Sequence, residues 1–262
     1  MKIIDLSVSI VDGLPVDKPI QIPKINYFGH KDPFSVNTYL NTYQGLKQEE
    51  MRDGSAWATE TIALHTHTGT HLDAPWHFHP TMNDGEEAWT IDEVPLEWCM
   101  GPGVVVDFSD KPSGYLCGKL DFQEYFEHIG YRLRPGDIVL LRTNAMQYWG
   151  TPAYMEAGCG VGREGTLWLT GQGVRAVGTD AWSWDIPSSY GATHYAQTRD
   201  PKVAWEGHKS GADCAYIHYE KLANLDALPL FGFQFFGVPI KIHRASAGWV
   251  RAFAIVEEDT KT

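Results

Sequence analysis

Five of the eleven histidines and one aspartate fall within the fifteen residues His65-Thr-His67-Thr-Gly-Thr-His71-Leu-Asp73-Ala-Pro75-Trp-His77-Phe-His79. Imidazole nitrogens and carboxylate oxygens suit a borderline divalent ion such as zinc or manganese, and these ligand types do not choose between the two. His67, His71 and Asp73 lie within seven residues and converge on one ion if the backbone turns, as Gly69 and Pro75 permit. Their H-x-x-x-H-x-D spacing supplies three ligands and leaves a position open for water, the arrangement of a catalytic ion rather than a closed structural one. His77 follows four residues after Asp73. A neutral imidazole there, with an unperturbed pKa of about 6.5, can take a proton from water and pass it to a leaving amine. A further ligand, or a group orienting one, is the alternative for His77; His65 and His79 are read as structural or ligand-orienting.

The elements that must carry these residues are read from periodicity. The alternating Thr61-Ile62-Ala63-Leu64 predicts a strand, so the ligands leave a strand end into a rigid loop, and the helical H-E-x-x-H motif is absent. Further strands are expected at 2–9, 103–108, 137–142, 174–179, 215–217, 233–242 and 249–256. Helices are expected at 120–129, with Asp121 capping and Gly130 ending it, at 163–170, and in a shorter stretch from Tyr219. The mixture indicates an α/β or α+β architecture, and no Pro- or Ser-rich linker divides the chain, so residues 1–262 are read as one domain. Two stretches, 11–59 and 181–207, read as long aromatic loops carrying Tyr27, Phe28, Trp57, Trp182, Trp184, Tyr190 and Trp205, as expected of binding loops or lids.

Composition narrows the partners. With 33 acidic and 21 basic side chains the formal charge is −12, and the basic residues form no stripe, which argues against nucleic acid. The polar start Met1-Lys-Ile-Ile-Asp predicts no signal peptide, and no apolar run reaches the roughly 20 residues of a membrane span, so a soluble cytoplasmic protein is expected. Cys99, Cys117, Cys159 and Cys214 are widely spaced and read as free thiols. Gly160-Val-Gly162-Arg-Glu-Gly165 matches G-x-G-x-x-G, but no buried strand is predicted before it, so nucleotide binding is not inferred.

The run H-T-G-T-H-x-D-A-P-x-H-F at 67–78 resembles the signature of the metal-dependent cyclase-like hydrolases, which include bacterial kynurenine formamidases and isatin hydrolases. The likeness extends to Ile4-Asp5-Leu6-Ser7, to Arg134-Pro-Gly-Asp137, to Gly178-Thr-Asp180, to Glu220-Lys-Leu-Ala-Asn224-Leu225 and to Pro239-Ile-Lys-Ile, nearly the whole chain. The resemblance implies a swivelling β/β/α fold, a homo-oligomer, and hydrolysis of an amide bond. It also implies that Asp73 bridges to a second ion held by a His and a Glu twelve residues apart, which here are His208 and Glu220, with His218 a near neighbour. The chain's length and aromatic segments look closer to the isatin hydrolases, so a small aromatic cyclic amide is the expected substrate, with N-formylkynurenine or another lactam or lactone as the alternative. Outside this family, two histidines and a carboxylate also suit a non-haem iron oxygenase, and a non-catalytic metal-binding protein is a third reading.

Overall fold

The computed structural model describes residues 1–257. Its centre is a nine-stranded sheet in the order Lys2–Asp5, Phe253–Val256, Phe231–Phe236, Met100–Asp107, Ile138–Arg142, Ala176–Thr179, Ile217–Glu220, His71–Asp73 and Ala247–Trp249. The four strands from Met100 to Glu220 run parallel and the flanking pairs antiparallel. Parallel strands are buried on both faces, which is why Val104-Val105-Val106 and Ile138-Val-Leu-Leu141 read as unbroken apolar runs. One face packs Leu72, Val105, Leu140 and Tyr219 into one core. The other packs Val104, Val106, Val139 and Leu141 with Phe122, Phe126 and Leu169 of helices Lys119–His128 and Arg163–Gly171.

Both predicted long helices form. In the first, Asp121 is the third helical residue, and its carboxylate accepts from the Gly118 N–H at 2.8 Å, so it closes the first turn from inside the helix. The stretch from Tyr219 is not helical. Tyr219 and Glu220 end the fully buried strand Ile217–Glu220, and left-handed backbone at Lys221 and Asn224 (φ 59° and 56°) leaves only the single turn Leu225–Ala227. The expected strand 233–242 ends at Phe236, and 249–256 is split into Ala247–Trp249 and Phe253–Val256.

The two supposed loops also contain regular elements. Segment 11–59 contributes strand Lys24–Phe28 and helix Pro33–Thr42, the latter capped by Asp32 and opened by Pro33. Strand Thr59–Ala63 pairs with Lys24–Phe28 in a separate hairpin, so the strand before the histidines lies outside the main sheet. Segment 181–207 holds helix Ser188–Thr198, which buries no residue and so shows no apolar stripe in the sequence. Cys99, Cys117 and Cys159 are buried and Cys214 is half-buried, all four as free thiols. No helix among the described residues is long and apolar enough to cross a membrane.

Candidate metal centre

Strand register assembles most of the site. His71–Asp73 lies between Ile217–Glu220 and Ala247–Trp249, with His218 opposite Asp73 and Glu220 opposite His71. Side chains alternate along a strand, so His71, Asp73, His218 and Glu220 share one face while Leu72 and Tyr219 enter the core on the other. His67 reaches the same point from the turn before the strand. Gly69 permits that turn with φ 64°, and a Cβ there would meet Ile10 at 3.3 Å. His77 comes from the short helix Pro75–Phe78 and His208 from the short helix Glu206–Lys209.

Asp73 is the hub. Its Oδ1 faces His67 Nδ1 at 2.8 Å and His71 Nε2 at 3.2 Å. Its Oδ2 faces His218 Nε2 at 3.1 Å, His77 Nε2 at 3.6 Å and His208 Nε2 at 3.9 Å. Glu220 closes the far side, with Oε1 at 3.3 Å from His218 and 3.7 Å from His208, and Oε2 at 3.5 Å from His71. His65 lies beside His67, its Nδ1 accepting from the His67 N–H at 3.3 Å. His79 turns away to bond Thr81.

The tautomers show what the centre lacks. The Gly69 carbonyl accepts from His71 Nδ1 at 2.8 Å, so in the neutral ring Nε2 is a bare lone pair aimed at two carboxylate oxygens. His71 Nε2 and Asp73 Oδ1 are accordingly both buried without a hydrogen-bond partner. His208 repeats the pattern: its Nδ1 pairs with Asp185, and its Nε2 points at Asp73 and Glu220. Acceptors facing acceptors in a dry site need a cation between them.

Electrostatics agree. Burial alone would raise the Asp73 carboxyl, but His67, His77 and His71 hold it well below the usual range. Burial and the Asp73 charge oppose ionisation of Glu220, yet His218 holds it down at about 2. Burial disfavours a charged His218, but hydrogen bonds to Asp73 and Glu220 lift it to about 9, and Asp73 similarly raises His67 against burial. The centre therefore draws positive charge to itself. Two groups of ligand atoms, one of His67, Asp73 and His77 and the other of Asp73, His208, His218 and Glu220, each lie within 4.8 Å of one another. Ligands about 2.0–2.2 Å from one ion lie roughly 3–4 Å apart, so these donors fit divalent cations.

His77 differs from its neighbours. Its side chain is 21% exposed, and burial pushes the ring down to about 3 over the opposing pull of Asp73, so it is neutral at physiological pH. It opens, with His67, His208, Trp182, Trp205 and Gln21, onto a cavity of about 230 Å³. That is below the roughly 300–1,000 Å³ of sites for drug-sized ligands and restricts the occupant to a small molecule. Trp182 and Trp205 come from segment 181–207, whereas Trp184 is fully buried and bonds Thr166. A wider groove of about 750 Å³ at Arg132, Arg134 and Phe231 shares no residue with the centre.

A family profile described as "Putative cyclase" matches residues 4–186, with the signature inside them. The chain belongs to this family. It is 31% identical over 144 residues to a kynurenine formamidase of Bordetella petrii, a match covering 54% of this chain and 61% of that enzyme. It is 26% identical over 220 residues to an isatin hydrolase of Roseibium aggregatum, covering 78% of this chain and 77% of that one. Among solved structures, an isatin hydrolase bound to the product analogue thioisatinate superposes with a TM-score of 0.77 at 20% identity, over 98% of this chain and 93% of the other. That likeness extends the cyclase-family α/β fold over the whole described chain.

Several contributing residues were not legible as such in the sequence. In the sequence His218 is only a near neighbour of the His208 and Glu220 pair, whereas the alternation of Ile217-His-Tyr-Glu220 along a strand puts it on the ligand face. Asp185 accepts from the backbone N–H groups of Gly207 and His208 at 2.8 and 3.0 Å and fixes the His208 ring. We expect Asp185→Asn to weaken metal affinity about 10–100-fold, as loss of a ligand-orienting partner does. Competition with a chelating dye would measure it; unchanged affinity would show that His208 needs no such support.

Lys221 is 1% exposed, and its ammonium pairs with buried Asp17 and donates to the His67 carbonyl at 2.8 Å. Trp182 Nε1 also donates to Asp17, at 2.7 Å. Lys221→Met would leave the Asp17 charge buried and unpaired, at a cost of about 3–5 kcal/mol. A urea midpoint equal to the parent's would contradict that. In the G-x-G-x-x-G segment no strand precedes the first glycine: Pro152–Glu156 is a 3-10 turn and strand Gly160–Val161 begins at the motif itself, and the Glu206 carboxylate accepts from the Arg163 N–H at 2.9 Å where a phosphate would sit.

Proposed function

We propose that this chain is a metal-dependent amidohydrolase that opens the amide bond of a small aromatic cyclic amide, with isatin as the leading substrate. The observation carrying this reading is the junction of the Asp73-centred ligand cluster with a compact cavity walled by Trp182 and Trp205. Flat aromatic side chains supply large contact area to a flat ring system. His67, His71 and Asp73 would hold one ion, manganese or zinc, and Asp73, His208, His218 and Glu220 would hold a second. A bound divalent ion supplies Lewis-acid polarisation of the carbonyl and brings the pKa of water from 15.7 toward about 7.

The remaining chemistry belongs to the chain. His77 is neutral, faces the cavity and lies 3.6 Å from the Asp73 carboxylate, which favours the imidazolium it forms on accepting a proton from the attacking water. The same proton then passes to the departing amide nitrogen, leaving a carboxylate and an amine. Trp205 stacks on His208 with ring centroids 4.6 Å apart and lies 5.5 Å from His77, so it shields the proton-transfer side from bulk water. Exposed Ile20, Tyr27, Phe34 and Ile62 on the N-terminal segment support a homo-oligomer.

N-formylkynurenine is the second substrate reading. It is favoured by the formamidase relative and by Lys18 on the cavity wall, a cation suited to a substrate carboxylate. Mass spectrometry of the reaction distinguishes the two: ring opening adds one water to a single product, whereas formamide cleavage releases formate.

A further inference from the structure

We infer that Gln21 reads the substrate's amide N–H and so restricts the site to secondary amides, excluding N-alkylated lactams and lactones. This rests on the amidohydrolase reading and names its substrate class more narrowly. Gln21 ends the short turn Pro19–Gln21, far in sequence from every ligand. Its main chain is nevertheless tied to the centre: its carbonyl accepts from Thr68 Oγ1 at 2.7 Å, beside His67, and its N–H donates to the Lys18 carbonyl at 2.8 Å. The main-chain bonds fix where the side chain starts. Gln21 lines the same cavity as His67, His77 and His208, and its Oε1 is buried without a hydrogen-bond partner.

A buried amide oxygen at a cavity wall lacks only a donor. The metal ligands supply none. A substrate can. A cyclic secondary amide carries one N–H beside the carbonyl that is attacked, and no other donor is needed to satisfy Oε1. During cleavage the C–N bond breaks, the nitrogen gains a proton and becomes a primary amine, which still donates to Gln21, so the contact persists from substrate to product. A lactone has no proton at this position, and an N-methyl lactam places a methyl group against a polar oxygen. Both leave the acceptor unpaired, the circumstance in which hydrogen-bonding sites discriminate most strongly.

The test compares kcat and KM for isatin and N-methylisatin in the manganese- or zinc-loaded parent, Gln21→Leu and Gln21→Glu. The parent should prefer isatin at least tenfold in kcat/KM. Gln21→Leu should lose about 10–100-fold on isatin, mostly through KM, with N-methylisatin unchanged or improved, so that the preference collapses. Gln21→Glu retains an acceptor and should keep the preference even if its rate falls, which separates lost recognition from damaged folding. A Gln21→Leu variant with the parent's isatin to N-methylisatin ratio overturns the inference and leaves the amidohydrolase standing. A parent that turns over neither compound removes the amidohydrolase reading on isatin and this inference with it.

Discussion

Asp73→Ala is expected to lose both bound metal and all turnover above the background rate. Asp73 belongs to both ligand groups: Oδ1 serves His67 and His71, and Oδ2 serves His218, His77 and His208. Asp73 is fully buried, so no water replaces the missing carboxylate without desolvation cost. Removing it also takes away the anion that draws positive charge to His67 and His218. The backbone pairing of His71–Asp73 with both neighbouring strands does not depend on the side chain, so the sheet should survive. Metal analysis of the purified variant, alongside circular dichroism, checks this: folded protein without metal is expected, and a stoichiometric ion in Asp73→Ala would remove Asp73 as the hub.

His77→Ala separates binding from proton transfer. The variant should keep its metal and its KM and lose about two to four orders of magnitude in kcat, the usual contribution of a positioned general acid/base. His77 sits at the edge of the cluster, with the longest distance to Asp73 of the histidines from the 65–79 run that contact it, and it is the neutral ring facing the cavity. If His77 were chiefly a ligand, metal content would fall together with rate. Unchanged turnover would show that the proton moves elsewhere.

How much of this could be read from the chain depends on whether a signal was local. The His67, His71, Asp73 and His77 group was legible because its members lie within eleven residues, and the structure brings the three histidines to the Asp73 carboxylate. The parallel strands were legible because burial on both faces leaves continuous apolar runs. The stretch from Tyr219 reads as helix because Tyr-Glu-Lys-Leu-Ala has helix-forming residues, and only pairing with Ala176–Thr179 and His71–Asp73 extends the strand begun at Ile217 through Glu220. That error hid His218. Helix Ser188–Thr198 was hidden because it buries nothing, and Gln21, Asp17 and Lys221 because their partners lie 47, 204 and 154 residues away in sequence.

The central claim is metal-dependent hydrolysis of a small aromatic amide at this cluster. The most direct measurement follows isatin and N-formylkynurenine side by side by absorbance, using chelator-stripped protein before and after one ion, manganese or zinc, is restored. The account predicts no turnover by the stripped protein, recovery on restoring the ion, and faster hydrolysis of isatin. Recovery with a preference for N-formylkynurenine would move the substrate to the formamidase class. Equal rates with and without metal, or no hydrolysis of either compound by protein that has regained its ion, would contradict the account.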